Sequence, residues 1–326
     1  MARRKPSRWH GLLPVHKKSG PTSHDVVDIA RRALGERRIG HTGTLDPMAE
    51  GLLLLCVGTA TRLQQYLLQW TKTYIGSVRL GWSTDTYDAE GERTSEKLLP
   101  PELTPQQLQD LASRFTGTIQ QLPPTYSAKK VRGKKLYELA RQGEEVSVEP
   151  KRVEVHELSL QQTQRDELEI RATVSSGFYV RSLAHDIGQA LECGGHLRRL
   201  ERTSIGPMSV EQAIRHEDLE NSERPEDIIG GSSWIPLDQV SLPFPTVELN
   251  SSAADRFVHG QEVVVFRPGD EPLEGQDPVA VRHRDDLLGV GLVQHVMARG
   301  RSLNIRPALV LQGTTGPGAS SKPTHG

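Results

Sequence analysis

The chain has 326 residues, of which 35% are hydrophobic and 25% charged, and its formal net charge is -1 at pH 7. This composition is typical of a globular protein with a substantial core, long enough for one large and one small domain. No apolar run approaches the roughly 20 residues of a membrane-spanning helix, and the basic N-terminus lacks the apolar segment of a signal peptide, which predicts a cytoplasmic location.

The cysteines and the charge distribution narrow the possible functions. Cys56 and Cys193 are the only cysteines and lie far apart in sequence, so neither a disulfide framework nor a zinc site is indicated. Residues 1–152 contain 24 lysines and arginines against 16 acidic residues, whereas residues 153–326 contain 16 against 25. The basic N-terminal half suggests a polyanionic partner, although such an imbalance also occurs on ordinary solvated surfaces.

The chain begins with a basic arm, a helix and a buried strand. Residues 1–10 are rich in cations and are predicted to form a flexible arm. From Thr22, apolar residues recur at i, i+3, i+4, i+7 and i+8, which predicts a helix capped by Thr22 with Asp25 and ended by Gly35. Leu52–Val57 is uniformly apolar and too short for a surface helix, so it is predicted to be a central strand.

The loop Gly40–Gly51 contains the first candidate for chemistry. Its glycines permit a tightly bent backbone, and Asp46 is its only carboxylate before Glu50. Asp46 followed by Pro47 is also typical of a helix start, with Asp as the N-cap and Pro at the first helical position. Residue types alone leave both interpretations open, although the nearby Gly51 leaves little room for a helix.

Periodicity predicts several elements between residues 61 and 174. They are a helix capped by Thr61 with Leu63, Tyr66, Leu67 and Trp70 on one side, a strand with Tyr74, Val78 and Leu80 on one face, a polar turn at Thr84–Asp88, a helix with a capping box at Thr104–Gln107, and strands at Val153–Val155 and Leu168–Val174.

A basic segment at Lys129–Lys135 interrupts this pattern. It contains five cations in seven residues, and Tyr126 and Tyr137 flank it. Cations interleaved with aromatic rings suit nucleic acid, because the cations meet phosphates while the rings stack on unpaired bases. A solvated loop is the other interpretation, and it is the commoner origin of such runs.

A second group of candidate residues follows the strand that ends at Val174. A glycine turn leads into a helix, and Tyr179 and Arg181 stand at its beginning, where they could point into one cleft or be a core tyrosine and a surface cation. Residues 194–206 form another basic cluster that includes Arg202. Residues 216–227 are acidic and are predicted to be a surface connection.

The C-terminal part is predicted to be a small β-barrel or sandwich. Short alternating strands, such as Glu262–Phe266 and Leu287–Val293, are separated by Gly, Pro and Asp. Arg267–Asp277 reads as an acidic insertion. The tail after Gln312 contains almost no apolar residues and is predicted to be disordered.

Seven segments along residues 11 to about 215 resemble, in order, the motifs of the TruB-type tRNA pseudouridine synthases. They are Gly40–Pro47 with Gly51–Leu53, Lys72–Tyr74, Arg79–Gly81 with Thr84–Thr86, Pro123–Ala128, Leu136–Gly143, Gly177–Arg181 and Leu200–Thr203.

The resemblance implies an α+β fold with a mixed, mainly antiparallel sheet flanked by helices and a small C-terminal β-rich PUA-like domain. It divides the chain into an arm (1–10), a catalytic domain (11–240) with an RNA-gripping insertion at about 121–152, a PUA-like domain (244–312) and a tail (313–326). The expected protein is a monomer that acts on tRNA without a metal or organic cofactor and without a membrane.

The resemblance further implies that uridine 55 in the T-loop of tRNA is isomerised to pseudouridine after it leaves the base stack. Asp46 is the expected nucleophile, Arg181 pairs with it, and Tyr74 lies against the target base. Tyr179 and Leu200 line the uracil pocket and His41 contacts RNA. Further RNA contacts are expected from Arg62, where family members often carry Lys, and from Lys129, Lys130, Arg132, Lys134 and Lys135.

Two other hypotheses are compatible with part of the sequence. A non-catalytic RNA-binding or tRNA-folding protein would keep the cleft, but it would not need Asp46, Tyr74 and Arg181 together. A hydrolase with a His41–Asp46 dyad would need a nucleophilic Ser or Cys beside them, and the sequence has none there.

Overall fold

The computed structural model describes residues 6–124, 149–266, 273–297 and 302–311, and the backbone of 130–131 and 134–135. Several sequence predictions therefore lie outside the described residues. These are the first half of the basic arm, the side chains of the basic segment 129–135, most of the proposed insertion, the beginning of the acidic insertion and the tail.

The strands of the described residues are numbered in chain order. They are β1 (Gly11–Lys17), β2 (Ile39–His41), β3 (Glu50–Val57), β4 (Lys72–Leu80), β5 (Trp82–Thr84), β6 (Arg93–Glu96), β7 (Gly117–Gln121), β8 (Lys130–Val131), β9 (Lys134–Lys135), β10 (Lys151–Gln164), β11 (Glu167–Val174), β12 (Gly195–Ile205), β13 (Met208–Ser209), β14 (Ile214–Arg215), β15 (Ile235–Pro236), β16 (Thr246–Glu248), β17 (Val263–Phe266), β18 (Pro278–His283), β19 (Asp286–Met297) and β20 (Ser302–Val310).

The α-helices of the same residues are fewer than the strands. They are α1 (Ser23–Leu34), α2 (Gln64–Leu67), α3 (Pro105–Arg114), α4 (Val180–Ala190), α5 (His216–Glu220), α6 (Pro225–Ile229) and α7 (Ser251–Val258), with 3₁₀ turns at Gly58–Leu63, Val210–Gln212 and Leu237–Gln239.

One large sheet contains most of the strands. Its strands lie in the order β14-β1-β3-β12-β4-β11-β10-β7, with β2, β13 and β15 attached at the side. Most neighbours are antiparallel, but β1 with β14 and β3 with β12 are parallel. The predicted mixed, mainly antiparallel sheet is therefore confirmed.

The uniformly apolar strand β3 lies inside this sheet because both of its faces are covered. Leu53 and Leu55 pack with α1 in one core, whereas Leu52 and Leu54 pack in another. All four side chains are fully buried. A strand covered on both faces needs no polar alternation, which explains the apolar run.

Two helices, α1 and α3, begin at the capping boxes from which the sequence predicted them. Thr22 and Asp25 form a reciprocal capping box at the start of α1, and the chain leaves that helix through the left-handed Gly35. Thr104 and Gln107 cap α3 in the same way. These elements are decided by contacts within a few residues, so the sequence alone could specify them.

Two sequence predictions about local structure are wrong. The helix predicted from Thr61 begins instead as a 3₁₀ turn at Gly58, and the Thr61 hydroxyl donates to the Gly58 carbonyl within that turn rather than capping a helix. The acidic connection at 216–227 is not a plain surface linker. It forms α5 and begins α6, and Leu219 and Ile228 are buried against α1.

The described part of the predicted flexible arm is attached to the body. Ser7 Oγ and the Arg8 backbone N–H both donate to the Glu36 carboxylate, at 3.1 Å and 3.2 Å. Arg8 also forms an ion pair with Glu226. Residues 7 and 8 therefore have fixed partners.

The C-terminal part forms a five-stranded sheet in the order β16-β18-β19-β20-β17, with α7 beside it. Its inner face shares a core with the large sheet. Leu287 and Leu309 pack in the same cluster as Leu52, Leu63 and Trp70. The fold is thus α+β with a C-terminal β-rich part that is joined to the main sheet by apolar contacts.

The described helices include none that is both long and apolar enough to cross a membrane.

Candidate active site

Asp46 lies in the connection from β2 to β3, and no helix follows it. The Ala49 N–H donates to the Asp46 carbonyl at 3.1 Å, which closes a tight turn that leads directly into β3. The helix-cap interpretation of Asp46-Pro47 is therefore wrong. The Asp46 side chain is 33% exposed, so its carboxylate can be reached from solvent.

The turn is fixed to α1 by a pair of hydrogen bonds. Ser23 Oγ donates to the Leu45 carbonyl at 3.0 Å and accepts from the Leu45 N–H at 2.8 Å. Both residues are buried. This reciprocal contact holds the residue next to Asp46 in one orientation.

Arg181, at the start of α4, brings a buried guanidinium to Asp46. Its Nε lies 2.9 Å from Asp46 Oδ2, and its Nη2 donates to Asp46 Oδ1 at 3.3 Å. The Arg181 side chain is only 7% exposed. Such a two-point contact fixes the plane of a carboxylate. The contact that the resemblance implied is thus present in the structure.

Asp88 is a partner of Arg181 that sequence reasoning missed. Its carboxylate is buried, and Asp88 Oδ2 lies 3.1 Å from Arg181 Nη1, which also donates to the Thr86 carbonyl at 3.1 Å. Arg181 therefore bridges one buried and one accessible carboxylate. The only signal in the sequence was the polar turn Thr84–Asp88, which gave no reason to connect it with residue 181.

Tyr74 and Leu200 belong to the apolar core next to the Asp46 loop. Both are buried and pack in one core cluster with Leu45, the residue before Asp46. Tyr74 lies on β4, where it is paired with Arg202 of β12. The structure thus places Tyr74 and Leu200 in the core cluster that also contains Leu45, the neighbour of Asp46.

Tyr179 stands at the N-cap of α4 and is held through its backbone. The Gln121 side chain accepts from the Tyr179 N–H at 2.7 Å and donates to the Tyr179 carbonyl at 2.9 Å. The tyrosine side chain itself is half-buried. This double contact with β7 sets the direction in which α4 delivers Arg181.

His41 is at the edge of the Asp46 loop. Its Nδ1 accepts from the Gly43 N–H at 3.3 Å, and its carbonyl accepts from Gln64 Nε2 at 2.7 Å. Burial lowers the pKa of His41, and the nearby Arg202 lowers it further. The imidazole is therefore neutral at pH 7.

Arg202 was noted in the sequence as part of a basic cluster and of the segment Leu200–Thr203 without a role of its own, and in the structure it holds the Asp46 loop. Its guanidinium is fully buried and donates to the carbonyls of Leu52, Gly43 and Thr44 at 2.7, 3.2 and 3.4 Å. Its Cζ also lies 6.0 Å from the centre of the Tyr74 ring. One buried cation therefore joins both ends of the loop.

Replacement of Arg202 by Met is expected to lower the free energy of unfolding by about 2–4 kcal/mol, because three carbonyls lose a charged donor. Urea unfolding would measure the change. The matched control is Arg199→Met, which changes an exposed arginine of the same strand. Equal stability of the two variants would show that the hydrogen bonds of Arg202 contribute nothing.

Position 51 requires glycine because the backbone of Arg202 approaches it closely. Gly51 has φ +102, and a Cβ placed there would lie 2.4 Å from the Arg202 carbonyl oxygen. Only glycine accommodates both the left-handed backbone and the close approach of β12.

Lys17 supports the loop on its other side. The Lys17 side chain is fully buried, and its Nζ donates to the carbonyls of Lys18, Pro21 and Pro47 at 2.9, 2.9 and 3.2 Å. Burial lowers the pKa of Lys17 to about 8, although the nearby Asp46 opposes this shift. Two buried cations thus hold the backbone on the two sides of Asp46.

Arg62 lies away from this cluster. Its Nη1 donates to the Val310 carbonyl of β20, so it contacts the C-terminal part. Among the residues with described side chains, no three His, Cys, Asp or Glu side chains are grouped so that they could hold a metal ion.

Asp186 lies on α4, the helix that also carries Arg181, and the effect of burial on its carboxyl group can be tested through stability. Burial raises its pKa to about 6, from the 3.8 that is usual for an aspartate. Between these values the folded protein binds more protons than the unfolded chain, so this group makes stability fall as pH rises. Asp186→Asn is therefore expected to stabilise the protein at pH 7 by about 1–2 kcal/mol, allowing for its partial exposure.

The gain from Asp186→Asn should disappear below about pH 3, where the wild-type carboxyl is protonated in both the folded and the unfolded state. Unfolding by urea at the two pH values would measure it. Asp285→Asn, at an exposed position, provides the control. A gain that is the same at both pH values would contradict the burial argument.

Two family descriptions match the sequence. Residues 31–180 match "TruB family pseudouridylate synthase (N terminal domain)", and residues 181–245 match "tRNA pseudouridylate synthase B C-terminal domain". The first match contains Asp46, Tyr74, Asp88 and Tyr179, and the second begins at Arg181.

Curated relatives are similar over most of their length. The protein of Solibacter usitatus named "tRNA pseudouridine synthase B" is 40% identical over 286 residues, which is 87% of this chain and 95% of the relative. Relatives with the same name from Azoarcus sp. and Aquifex aeolicus are 42% and 39% identical, over 90% and 78% of this chain and 94% and 87% of their own.

Solved structures share the fold at lower identity. The "Crystal Structure of a Cbf5-Nop10-Gar1 Complex" matches with a TM-score of 0.70 at 25% identity, over 92% of this chain and 84% of that chain. The "Structure of H/ACA RNP bound to a substrate RNA containing 2'-deoxyuridine" matches with a TM-score of 0.71 at 24% identity, over 93% and 86%.

The predicted resemblance is therefore confirmed by sequence similarity that covers the Asp46 loop, the strand β4 with Tyr74 and the helix α4 with Arg181. The chain belongs to the TruB family of pseudouridylate synthases.

Proposed function

We propose that this protein isomerises uridine 55 in the T-loop of tRNA to pseudouridine, with Asp46 as the nucleophile. The observation that carries the proposal is the two-point contact between the accessible Asp46 carboxylate and the buried Arg181 guanidinium. Family membership supports a pseudouridine synthase that acts on tRNA. The target position and the role of Asp46 are our inference.

The reaction breaks the C–N glycosidic bond and forms a C–C bond from the same sugar to C5 of the same uracil. The base must be held while it is detached, and a covalent bond to the enzyme is an efficient way to hold it. Two atoms are open to attack by Asp46, C6 of the ring and C1′ of the ribose. No electrons leave the nucleotide, so the isomerisation needs no redox cofactor.

Arg181 has two tasks in this proposal. Its positive charge lies against the Asp46 carboxylate and balances the negative charge of that group next to the apolar core. Its bidentate contact also fixes the carboxylate plane before substrate arrives, so less order has to be imposed during the reaction. Asp88 holds the far side of the guanidinium at 3.1 Å and thereby sets its rotation.

The remaining residues would receive the flipped uridine. Tyr74 would lie against the base, where its ring can stack or its hydroxyl can move a proton at C5. Leu200 and Tyr179 would line the pocket, and an apolar wall excludes water from the detached base. His41, neutral at pH 7, would contact RNA beside the target nucleotide. Together these contacts would offset the few kcal/mol that unstacking costs.

The proposed tRNA contacts outside the cleft are cationic. Lys129, Lys130, Arg132, Lys134 and Lys135 would meet phosphates of the T-stem and T-loop, and Arg62 would extend this contact towards the C-terminal part. Each phosphate neutralised by a cation releases a bound counterion. Affinity for tRNA is then expected to fall steeply with salt.

Neutralising the five cations of residues 129–135 with Gln is expected to weaken tRNA binding and to make its salt dependence shallower. Filter binding at several salt concentrations would measure the slope. The control replaces exposed cations of the acidic half, Arg224 and Arg256, by Gln. An unchanged slope in the first variant would remove the segment from the interface.

The proposed function is tested by mapping pseudouridine in tRNA after incubation with the protein. A tRNA transcript and the same transcript with cytidine at position 55 would be compared by mass spectrometry. The expected product is one pseudouridine, at position 55, in the first transcript only. Pseudouridine at another position would overturn the target assignment, and tight binding without any product would favour a non-catalytic RNA-binding protein.

A further inference from the structure

The turn that supplies Asp88 contains an unusual backbone conformation. Tyr87 has φ +64, which lies in the left-handed region that residues with a Cβ seldom adopt. The Tyr87 N–H donates to the Thr84 carbonyl at 3.4 Å, and the Tyr87 carbonyl accepts from the Leu197 N–H at 2.9 Å. A side chain held in this region needs a compensating interaction nearby.

That interaction is a stacked aromatic pair. The rings of Tyr87 and His185 have their centroids 4.0 Å apart with an interplanar angle of 18°. Burial lowers the pKa of His185, so the stacked imidazole is neutral at pH 7 and the contact is not an ion pair. Both side chains are half-buried.

The position of His185 on α4 connects this pair to Arg181. Residues four apart lie on the same face of a helix, so His185 stands one turn beyond Arg181. The turn Thr84–Asp88 therefore contacts α4 at two successive turns of the helix. Thr86 and Asp88 hold Arg181, and Tyr87, which lies between them, holds His185.

The left-handed conformation of Tyr87 explains how two acceptors, one on each side of it in the chain, can reach the same nitrogen of Arg181. The Thr86 carbonyl and the Asp88 carboxylate both reach Arg181 Nη1 at 3.1 Å, from the two sides of Tyr87. A right-handed or extended residue at position 87 would send the chain elsewhere and separate these two acceptors. The conformation of Tyr87 is thus part of the geometry of Arg181.

We propose that Tyr87 and His185 are positioning residues for the reaction: their stacked rings hold residue 87 in the left-handed conformation that aims Thr86 and Asp88 at Arg181, and so orient Arg181 towards Asp46. Neither ring needs to touch the substrate. The proposal rests on the proposed function only where it concerns catalysis, because the coupling of Tyr87 to Asp88 can be measured in stability alone.

The catalytic test compares two substitutions at one position. Tyr87→Ala removes the ring and leaves a Cβ in the left-handed region, whereas Tyr87→Gly removes the ring and the strain together. The single-turnover rate with T-arm RNA is expected to fall about tenfold in Tyr87→Ala and by a clearly smaller factor in Tyr87→Gly. RNA binding should be unchanged in both variants, since the rings act through Arg181.

His185 provides the second arm of this test. His185→Ala is expected to slow the reaction as much as Tyr87→Ala, and His185→Phe, which can still stack, should restore most of the rate. The matched control is Tyr66→Ala, which removes a ring from another aromatic pair, with Phe244 at 5.5 Å in the core shared with the C-terminal part. That control should lose stability without loss of single-turnover rate.

A double-mutant cycle between Tyr87→Ala and Asp88→Asn tests the coupling of the two residues without an activity measurement, because it is read as the free energy of unfolding. The two changes are expected to be non-additive, because the second removes the contact that the first misaligns. Additive stabilities, or equal rates for Tyr87→Ala and the wild type, would overturn the inference. An inactive wild-type protein with a coupled cycle would instead overturn the proposed function and keep Tyr87 as a positioning residue for Arg181.

Discussion

Replacement of Asp46 by Asn is expected to abolish pseudouridine formation in a T-loop RNA while RNA binding stays nearly intact. The amide has almost the same shape as the carboxylate but is not a nucleophile, so the rate should fall by at least about a thousandfold. Mass spectrometry of the product measures the rate, and filter binding measures the affinity.

The same loop offers a control for the Asp46 variant. Glu50 is an exposed carboxylate four residues further along the chain, so Glu50→Gln removes the same charge close by. It is expected to leave the rate within a few-fold of wild type. Normal turnover by the Asp46→Asn protein would end the proposal that this residue attacks uridine.

Replacement of Arg181 by Lys is expected to lower kcat by about a hundredfold or more, with a smaller effect on KM. An ammonium group keeps the charge but cannot make the bidentate contact with Asp46 and reach Asp88 at the same time. Steady-state kinetics with T-arm RNA would separate the two parameters.

Arg171→Lys, at an exposed arginine of β11, is the matched control for this change. Its kinetics should equal those of the wild type. If Arg181→Lys had full kcat, a single positive charge near Asp46 would be sufficient, and the two-point contact would have no role in the reaction.

The residue types predicted the centre of the site but not its supports. Asp46 could be singled out because it is a lone carboxylate in a glycine-rich loop. Tyr179 and Arg181 remained ambiguous until the resemblance to the family was considered, since nothing local shows which way a side chain points. Asp88 could not be linked with Arg181, because their contact joins residues 93 positions apart.

The buried cations show the same limit. Arg202 belongs to a run of exposed and buried residues on one strand, and the sequence marked it only as a member of a basic cluster and of the segment Leu200–Thr203. In the structure its guanidinium is enclosed and donates to two carbonyls of the Asp46 loop, those of Gly43 and Thr44, and to the Leu52 carbonyl of β3. Only the packing of β12 against that loop decides this, and it depends on the register between distant strands.

For the fold, contacts between residues close in sequence were sufficient to predict two of the helices. The capping boxes at Thr22 and Thr104 involve residues three apart, and both helices start where the sequence predicted. The helix predicted from Thr61 begins at Gly58 instead, as a 3₁₀ turn that directly continues β3. The buried leucine of the connection at 216–227 was likewise hidden by the acidic residues around it.

The apolar core that joins the two sheets has a consequence for how the molecule loses its structure. Leu52 and Leu54 follow the Asp46 turn directly, and Leu287 and Leu309 of the C-terminal sheet belong to the same cluster. Loss of the C-terminal sheet would expose one face of β3, the strand that follows the Asp46 turn. We therefore expect the two sheets to melt in one cooperative transition, so that damage in the C-terminal sheet impairs catalysis without any loss of an RNA contact.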